Sequence, residues 1–407
     1  MDDSMGRRER PNPATPTNSA WRATCSGFCA SLVGIGLARF AYTPLLPAII
    51  AAHWFAPSAA AYLGAANLAG YLAGALLGRP MVRRFSAAAI IRAMMLLATT
   101  AFFACAHPMP FVWFFTWRFA SGLAGGMLMV LAAPAVLPHV PPSRRGLAGG
   151  VIFMGVGVGI AASGTLVPLL LHQGLQETWL GLGVVSLILT AIAWGGWPQN
   201  APQPAAAAIH RHPPRPLALR ALYAEYALNA VGLVPHMIFL VDFIARGLGR
   251  GLQEGAEYWV LFGLGAMAGP ILTGHLADRI GSGPALRLVF FIEALMVAIP
   301  AFGLGPSWLI LSSVVVGAFV PGVIPLVLGR IQEFLPHHPA EQRVAWGTAT
   351  TCFAVLQASA AYGMTFLFAH NGGDYRMLFL VGAIAMVLAL AVDLVATIID
   401  RRRPNPL

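Results

Sequence analysis

The sequence predicts an all-α integral membrane protein, twelve transmembrane helices in two pseudo-symmetric six-helix bundles, and three observations carry that prediction. First, 58% of the 407 residues are hydrophobic and only 10% charged, where a soluble chain carries about 25% charged residues. Second, apolar stretches long enough to cross a bilayer, roughly 20 residues at 1.5 Å each, recur twelve times between short loops rich in Pro, Gly, Arg and His. Third, the stretch Pro198 to Pro216 holds six prolines in nineteen residues without apolar periodicity, and it divides the spans six and six. Such a segment is a flexible or extended linker.

The predicted spans, in order, are 23–51, 59–79, 87–106, 110–137, 147–171, 178–197, 217–241, 256–275, 285–304, 307–329, 345–369 and 376–398. Span 1 carries Arg39, Pro44 and Pro47 in an otherwise apolar run. Spans 2 to 6 are almost free of internal charge apart from Arg118, and lack the polar stripe of a soluble surface helix. Span 5 opens with GGVIFMGVGVGIAASG, Gly149 to Gly164, whose small residues allow close helix packing. Span 7 carries a polar strip, and spans 9 and 12 hold Glu293 and Asp393. Pro321 and Pro325, with Gly317 and Gly322, mark a bend in span 10. The domain reading follows: a cytoplasmic tail 1–22, an N-terminal bundle 23–197, a cytoplasmic linker 198–216, a C-terminal bundle 217–398 and a cytoplasmic tail 399–407.

A formal charge of +10 raises the question of nucleic acid, which the placement of the basic residues answers. All 25 are arginine. With the N-terminus inside, twenty fall at cytoplasmic ends or loops and three, Arg246, Arg250 and Arg376, fall outside. That asymmetry is the positive-inside rule; it places both termini in the cytoplasm and explains the charge without nucleic acid. Ser26 to Ala38 has the look of a signal-peptide core, but no cleavage site follows it and eleven spans do, so it is expected to be retained. Cys25, Cys29, Cys105 and Cys352 show no pairing or metal spacing, and neither a metal nor a cofactor is expected. Ser121-Gly122 and Ser163-Gly164 offer a serine for intramembrane hydrolysis, yet no histidine is evidently placed as base, so the chain is not expected to be an enzyme.

The halves repeat features in the same order. Span 2 ends GRPMVRRF, Gly78 to Phe85, and span 8 ends GHLADRIG, Gly274 to Gly281; span 4 leaves through PAVLP and span 10 through PLVLG. Spans 1 and 7 both carry proline toward their outer ends. On these residues the chain resembles the major facilitator superfamily across about residues 20 to 400. The loop at Asp278 and Arg279 resembles the superfamily signature that holds the cytoplasmic side closed, although the first half has Val82 where an acid is expected. WRFASGLAGG, Trp117 to Gly126, resembles a superfamily motif with a membrane-embedded arginine. GIGLARFAYTPLLP, Gly34 to Pro47, resembles the first helix of the YbfB/YjiJ-type bacterial branch. The resemblance implies that spans 1, 4, 7 and 10 line a central cavity, which would put the arginines of spans 1 and 4 and the polar strip of span 7 around one space. It also implies that spans 9 and 12 are peripheral, so that Glu293 and Asp393 read as packing or interface residues.

An unpaired arginine at the bilayer centre costs at least about 2.5 to 3.5 kcal/mol, so Arg39, roughly 24 Å in, and Arg118, roughly 28 Å in, are expected to face the bundle interior. Gly36 would leave room beside Arg39, and Tyr42 and Thr43 share its face. In span 7 Glu225, Asn229, Gly232 and His236 fall on one side of a helix. The expected roles are substrate binding by Arg39, Arg118, Tyr42 and Asn229, since a guanidinium matches two carboxylate oxygens; proton coupling by Glu225 and His236; and conformational gating by Asp278, Arg279, Pro44 and Pro47. Arg39 has two other readings, a pair with Glu225 and a cap on carbonyls freed by the prolines. Asn67, Tyr71 and Gln357 are candidates to bond substrate or neighbouring helices. The expected function is secondary transport of a small organic anion by alternating access, driven by protons, by a monomer in the inner membrane. Proton-antiport efflux of a neutral or cationic amphiphile, or a non-transporting sensor, is the alternative.

Overall fold

The computed structural model describes residues 16–141, 144–198, 216–336 and 338–402; most of the predicted linker and tails lies outside them. Twelve helices among these residues are long and apolar enough to cross a membrane: span 1 Ala20–Ala51, span 2 Pro57–Val82, span 3 Ala87–Ala104, span 4 Phe111–His139, span 5 Leu147–Leu171, span 6 Leu175–Ala193, span 7 Leu217–Gly247, span 8 Gly251–Ile280, span 9 Ser282–Phe302, span 10 Pro306–Phe334, span 11 Val344–His370 and span 12 Tyr375–Ile399. Local chemistry sets several ends. Pro57 and Pro306 sit in the first turns of spans 2 and 10, where a missing N–H costs nothing. Ser86 caps span 3 by accepting from the Ala89 N–H at 3.2 Å.

Spans 1 and 7 both depart from regular α-helix near their prolines. In span 1 a π-helical turn covers Leu32–Leu37, an open turn follows, and α-helix resumes at Tyr42. Pro44 has no N–H for the Phe40 carbonyl, which takes the Thr43 N–H at 3.2 Å instead. In span 7 the α-helix ends at Val234, and π-helical turns occupy Pro235–Phe239 and Phe243–Gly247 around the short helix Leu240–Asp242. A π turn re-aims the side chains beyond it.

The internal duplication extends to the helix crossings. Spans 2 and 4 pack more extensively than any other pair, followed by spans 8 and 10. A Cβ on Gly122 would meet the Asn67 carbonyl oxygen at 1.9 Å, and one on Gly317 the Phe262 oxygen at 2.1 Å. Likewise Gly74 faces the Leu123 oxygen at 2.1 Å and Gly269 the Ala318 oxygen at 1.8 Å. These pairs recur in the second half at one constant offset along the chain, so the backbones cross at equivalent points. Gly122→Val and Gly317→Val must push two backbones apart, a cost above about 3 kcal/mol. We expect neither variant to give a monodisperse peak on size exclusion; a wild-type profile would contradict this packing.

Between the halves, buried side chains share cores at one end only. Ala61, Ala65 and Leu68 of span 2 join Val234, Phe239, Ala358 and Met364. Ile35, Phe40, Val156 and Ile160 join residues of spans 7, 8 and 12. These lie in the middle and at the end opposite the termini. At the termini end, the core around Leu219, Leu286, Val327 and Phe334 draws on the second half alone. Among the described residues the halves are therefore closed at the far end and share no core at the termini end. One expectation fails here. Gly36 leaves no room beside Arg39, because a Cβ there would meet the Gly159 Cα at 2.7 Å; its small size serves the crossing of spans 1 and 5.

Candidate functional site

Arg39 and Arg118 line one small cavity between the halves, with Tyr42, Thr43 and Asn67 from the first half and Met237 and Ile238 from the second. The cavity measures about 20 Å³, enough for a water but not for a metabolite. The break in span 1 positions both arginines. Arg39 lies within the open turn that precedes Tyr42. Arg118, 3% exposed, donates from Nη1 to the Ala38 carbonyl in that turn at 2.8 Å.

Aromatic faces surround both cations. The Arg39 guanidinium lies 5.1 Å from the Phe40 ring centre and 5.0 Å from that of Tyr71, and Arg118 lies 4.3 Å above Tyr42. Such contacts attract a desolvated cation by about 2 kcal/mol each, and Tyr42 is fixed in turn by donating to the Ala60 carbonyl at 2.8 Å. Asn67 ties span 2 to span 4 by donating to Ser121 Oγ at 2.8 Å and to the Arg118 carbonyl at 3.2 Å. Arg39 Nη2 donates to Gln357 Oε1 at 2.8 Å across the halves, and Thr43 Oγ1 donates to the Met237 carbonyl at 2.6 Å. Neither arginine pairs with a carboxylate among the described residues. Arg39 Nε, Arg118 Nε and Arg118 Nη2 are buried without an acceptor, a costly state for groups that are always charged.

The span 7 strip is elsewhere. Asn229 donates to Glu293 Oε2 at 2.8 Å and contacts Met386 Sδ at 3.5 Å; Gly232 also faces Met386. His236 Nε2 bonds Ser312 Oγ at 2.9 Å and its ring packs edge-on against Phe379. Ser312 itself donates to the Met296 carbonyl at 2.7 Å, so it accepts from His236, which carries its proton on Nε2. The strip thus looks into the second bundle, toward spans 9, 10 and 12. The expectation that it shares one space with the arginines is corrected, as is the pairing of Arg39 with Glu225: Met237 and Ile238, not Asn229 or His236, reach the cavity. Glu225 is buried with Oε2 unpartnered.

The expected gating residues divide. Pro44 and Pro47 lie in the resumed helix of span 1. Asp278 and Arg279 are exposed at the termini end and form no ion pair among the described residues. That end is instead tied within the second half, where Arg287 pairs with Asp393 and also donates to Thr397 Oγ1 at 2.7 Å. Sequence reasoning missed a cluster at the far end: Arg246 pairs with buried Asp242, and Tyr375 donates to Asp242 Oδ2 at 2.6 Å. The i, i+4 spacing of Asp242 and Arg246 was its legible signal, hidden because the predicted span stopped at 241.

A family model described as uncharacterised MFS-type transporter YbfB matches residues 31–394. A Haemophilus influenzae protein named for metabolite transport is 26% identical over 226 residues, 50% of this chain and 54% of that protein. The chain therefore matches about half the length of that curated relative. The fold is similar to an inward-facing, unoccupied bacterial homologue of the human lysosomal transporter Spinster, with a TM-score of 0.70 at 14% identity over 99% of this chain and 100% of that one. It is also similar to a D-xylose–proton symporter, with a TM-score of 0.68 at 15% identity over 93% and 97% of the two chains. The nucleoside transporter NupG gives 0.73 at 14% identity over 93% and 100%.

Proposed function

The chain belongs to the family of YbfB-type major facilitator transporters, and from that premise we propose that it is a proton-coupled secondary transporter of a small organic anion, working by alternating access. The observation that carries the anion is the pair of arginines: two buried cations on one cavity, without a carboxylate partner and with three unpartnered donor nitrogens. An entering carboxylate supplies the missing acceptors and countercharge. Tyr42 and Tyr71 hold the guanidinium planes, so the headgroup meets oriented donors. The rest of the substrate extends toward the termini end, where the halves share no core. A cationic substrate would meet like charge here, which disfavours efflux of a cation.

Closure at the far end supports alternating access, in which the halves rock about a central site. A structural neighbour named as a proton symporter supports proton coupling. The arginine bias of the loops supports a cytoplasmic termini end in a bacterial inner membrane.

A thermal-shift panel of mono- and dicarboxylates against amines of matched size tests the reading on purified protein. A carboxylate present at a hundred times its Kd stabilises by about 2.7 kcal/mol, and we expect Arg39→Gln to lose that shift. Stabilisation by amines alone, or a carboxylate shift unchanged in Arg39→Gln, would overturn the anion site. In proteoliposomes the same carboxylate is expected to move down an imposed pH gradient in wild type and not in Arg39→Gln.

A further inference from the structure

We propose that Glu293 is a proton-binding site, held in place by Asn229 and set inside the second bundle apart from the arginine cavity. The inference rests on the proton-coupled reading above and assigns the proton a residue.

Glu293 is 0% exposed. One carboxyl oxygen, Oε2, accepts from Asn229 Nδ2 at 2.8 Å, and the other, Oε1, is buried with no partner. No cation pairs with it among the described residues. A carboxylate in such surroundings has a single hydrogen bond against the desolvation of a full charge, whereas the acid keeps that bond and sheds the charge, leaving only one neutral O–H without an acceptor. Glu293 therefore binds a proton as COO⁻ plus H⁺ giving COOH, with Oε2 as the carbonyl oxygen facing Asn229 and Oε1 carrying the hydrogen. Nothing else changes in the balance; the proton comes from the medium.

The titratable neighbours lie along one line inside this bundle. On span 7, Glu225 sits one turn from Asn229 toward the termini end, and His236 two turns toward the far end. On span 12, Asp393 lies two turns beyond Met386 toward the termini end and is engaged with Arg287, with Arg330 4.0 Å away. Span 10 supplies Ser312, which joins His236 to the Met296 carbonyl one turn from Glu293; span 8 brings no charged side chain to it. Glu225 Oε2, Asn229 Oδ1, Glu293 Oε1 and His236 Nδ1 are all buried and unpartnered. Four open positions in sequence mark a route from the termini end to mid-membrane, and Glu293 is the carboxyl on it that a neutral side-chain donor holds. The substrate anion then sits between the halves and the proton within the second, which lets the rocking of the halves couple them without direct contact.

Infrared difference spectroscopy on the full-length protein in lipid tests the site without any substrate. Wild type is expected to show the carbonyl-stretch band of a protonated carboxylic acid at neutral pH. Glu293→Gln, which keeps an acceptor for Asn229, is expected to fold and to lose that band, while Glu225→Gln and Asp393→Asn retain it. A band of wild-type amplitude in Glu293→Gln, or no band in wild type at any pH, would overturn the proposal. Should Glu293→Gln not fold, Asn229→Val removes the hydrogen bond and is expected to shift the same band to higher frequency; an unmoved band overturns the assignment. The carboxylate thermal shift separates the two readings. Its survival in Arg39→Gln sinks the anion site and leaves this band in place, whereas a retained band in Glu293→Gln sinks only the proton site.

Discussion

Replacing Arg118 with methionine is expected to weaken anion binding at least about tenfold while leaving the unliganded protein about as stable as wild type. The terms are of similar size and opposite sign. The variant loses a charge-assisted hydrogen bond to the Ala38 carbonyl, about 1.5–3 kcal/mol, and the contact over Tyr42, about 2 kcal/mol. It gains by no longer desolvating a cation with two unpartnered nitrogens, a penalty of several kcal/mol. Binding has no such offset: truncating one side of a buried charge pair costs about 2–5 kcal/mol, at least tenfold in affinity. Melting curves with and without the stabilising carboxylate check both halves of the expectation. A large fall in melting temperature with an intact carboxylate shift would make Arg118 a brace for the broken helix and nothing more.

Gly263→Trp is expected to hold the far end open and to stop net transport. A Cβ on Gly263 would meet the Ala161 backbone nitrogen at 2.3 Å, and across the same contact a Cβ on Gly157 would meet the Met267 nitrogen at 2.7 Å. Spans 5 and 8 touch there through backbone, and Trp259 Nε1 donates to Ser163 Oγ at 3.1 Å one turn away. An indole cannot be absorbed by rotamer change where backbone faces backbone, so the halves must separate. Thr43, 3% exposed and bonded to the Met237 carbonyl, reports the separation. In a Thr43→Cys background, membrane-impermeant maleimide added at the far side is expected to label Gly263→Trp several times faster than its parent. Equal labelling rates would mean that this crossing does not govern closure.

Much of the architecture was legible in the sequence because the bilayer leaves few choices. Apolar length gave twelve spans, and Pro44, Pro47 and Pro235 gave the two interrupted helices, since a missing N–H acts locally wherever the helix packs. Arg39 and Arg118 stood out for a similar reason: the cost of a buried guanidinium belongs to the residue and its depth. Gln357 and Tyr71 were visible only as polar groups of unspecified partner, and the structure gives both to Arg39. Glu293 was read as a packing residue because the family resemblance made its span peripheral, while its contact with Asn229 depends on how spans 7 and 9 meet.

The sequence by itself determined the helical class, the duplication and the presence of charge inside the membrane, because each follows from hydrogen bonds closed within a segment or from the transfer cost of one side chain. Only the tertiary structure decided which charges share a space. A helical face fixes which residues point together, not what they point at. The azimuth of span 7 is set by its close contacts with Met386, Phe379 and Ser312, and the π turns at Leu32–Leu37 and Pro235–Phe239 shift the register of everything beyond them. Two polar strips that the family resemblance placed around one cavity therefore became an arginine site between the halves and a carboxyl line within one of them.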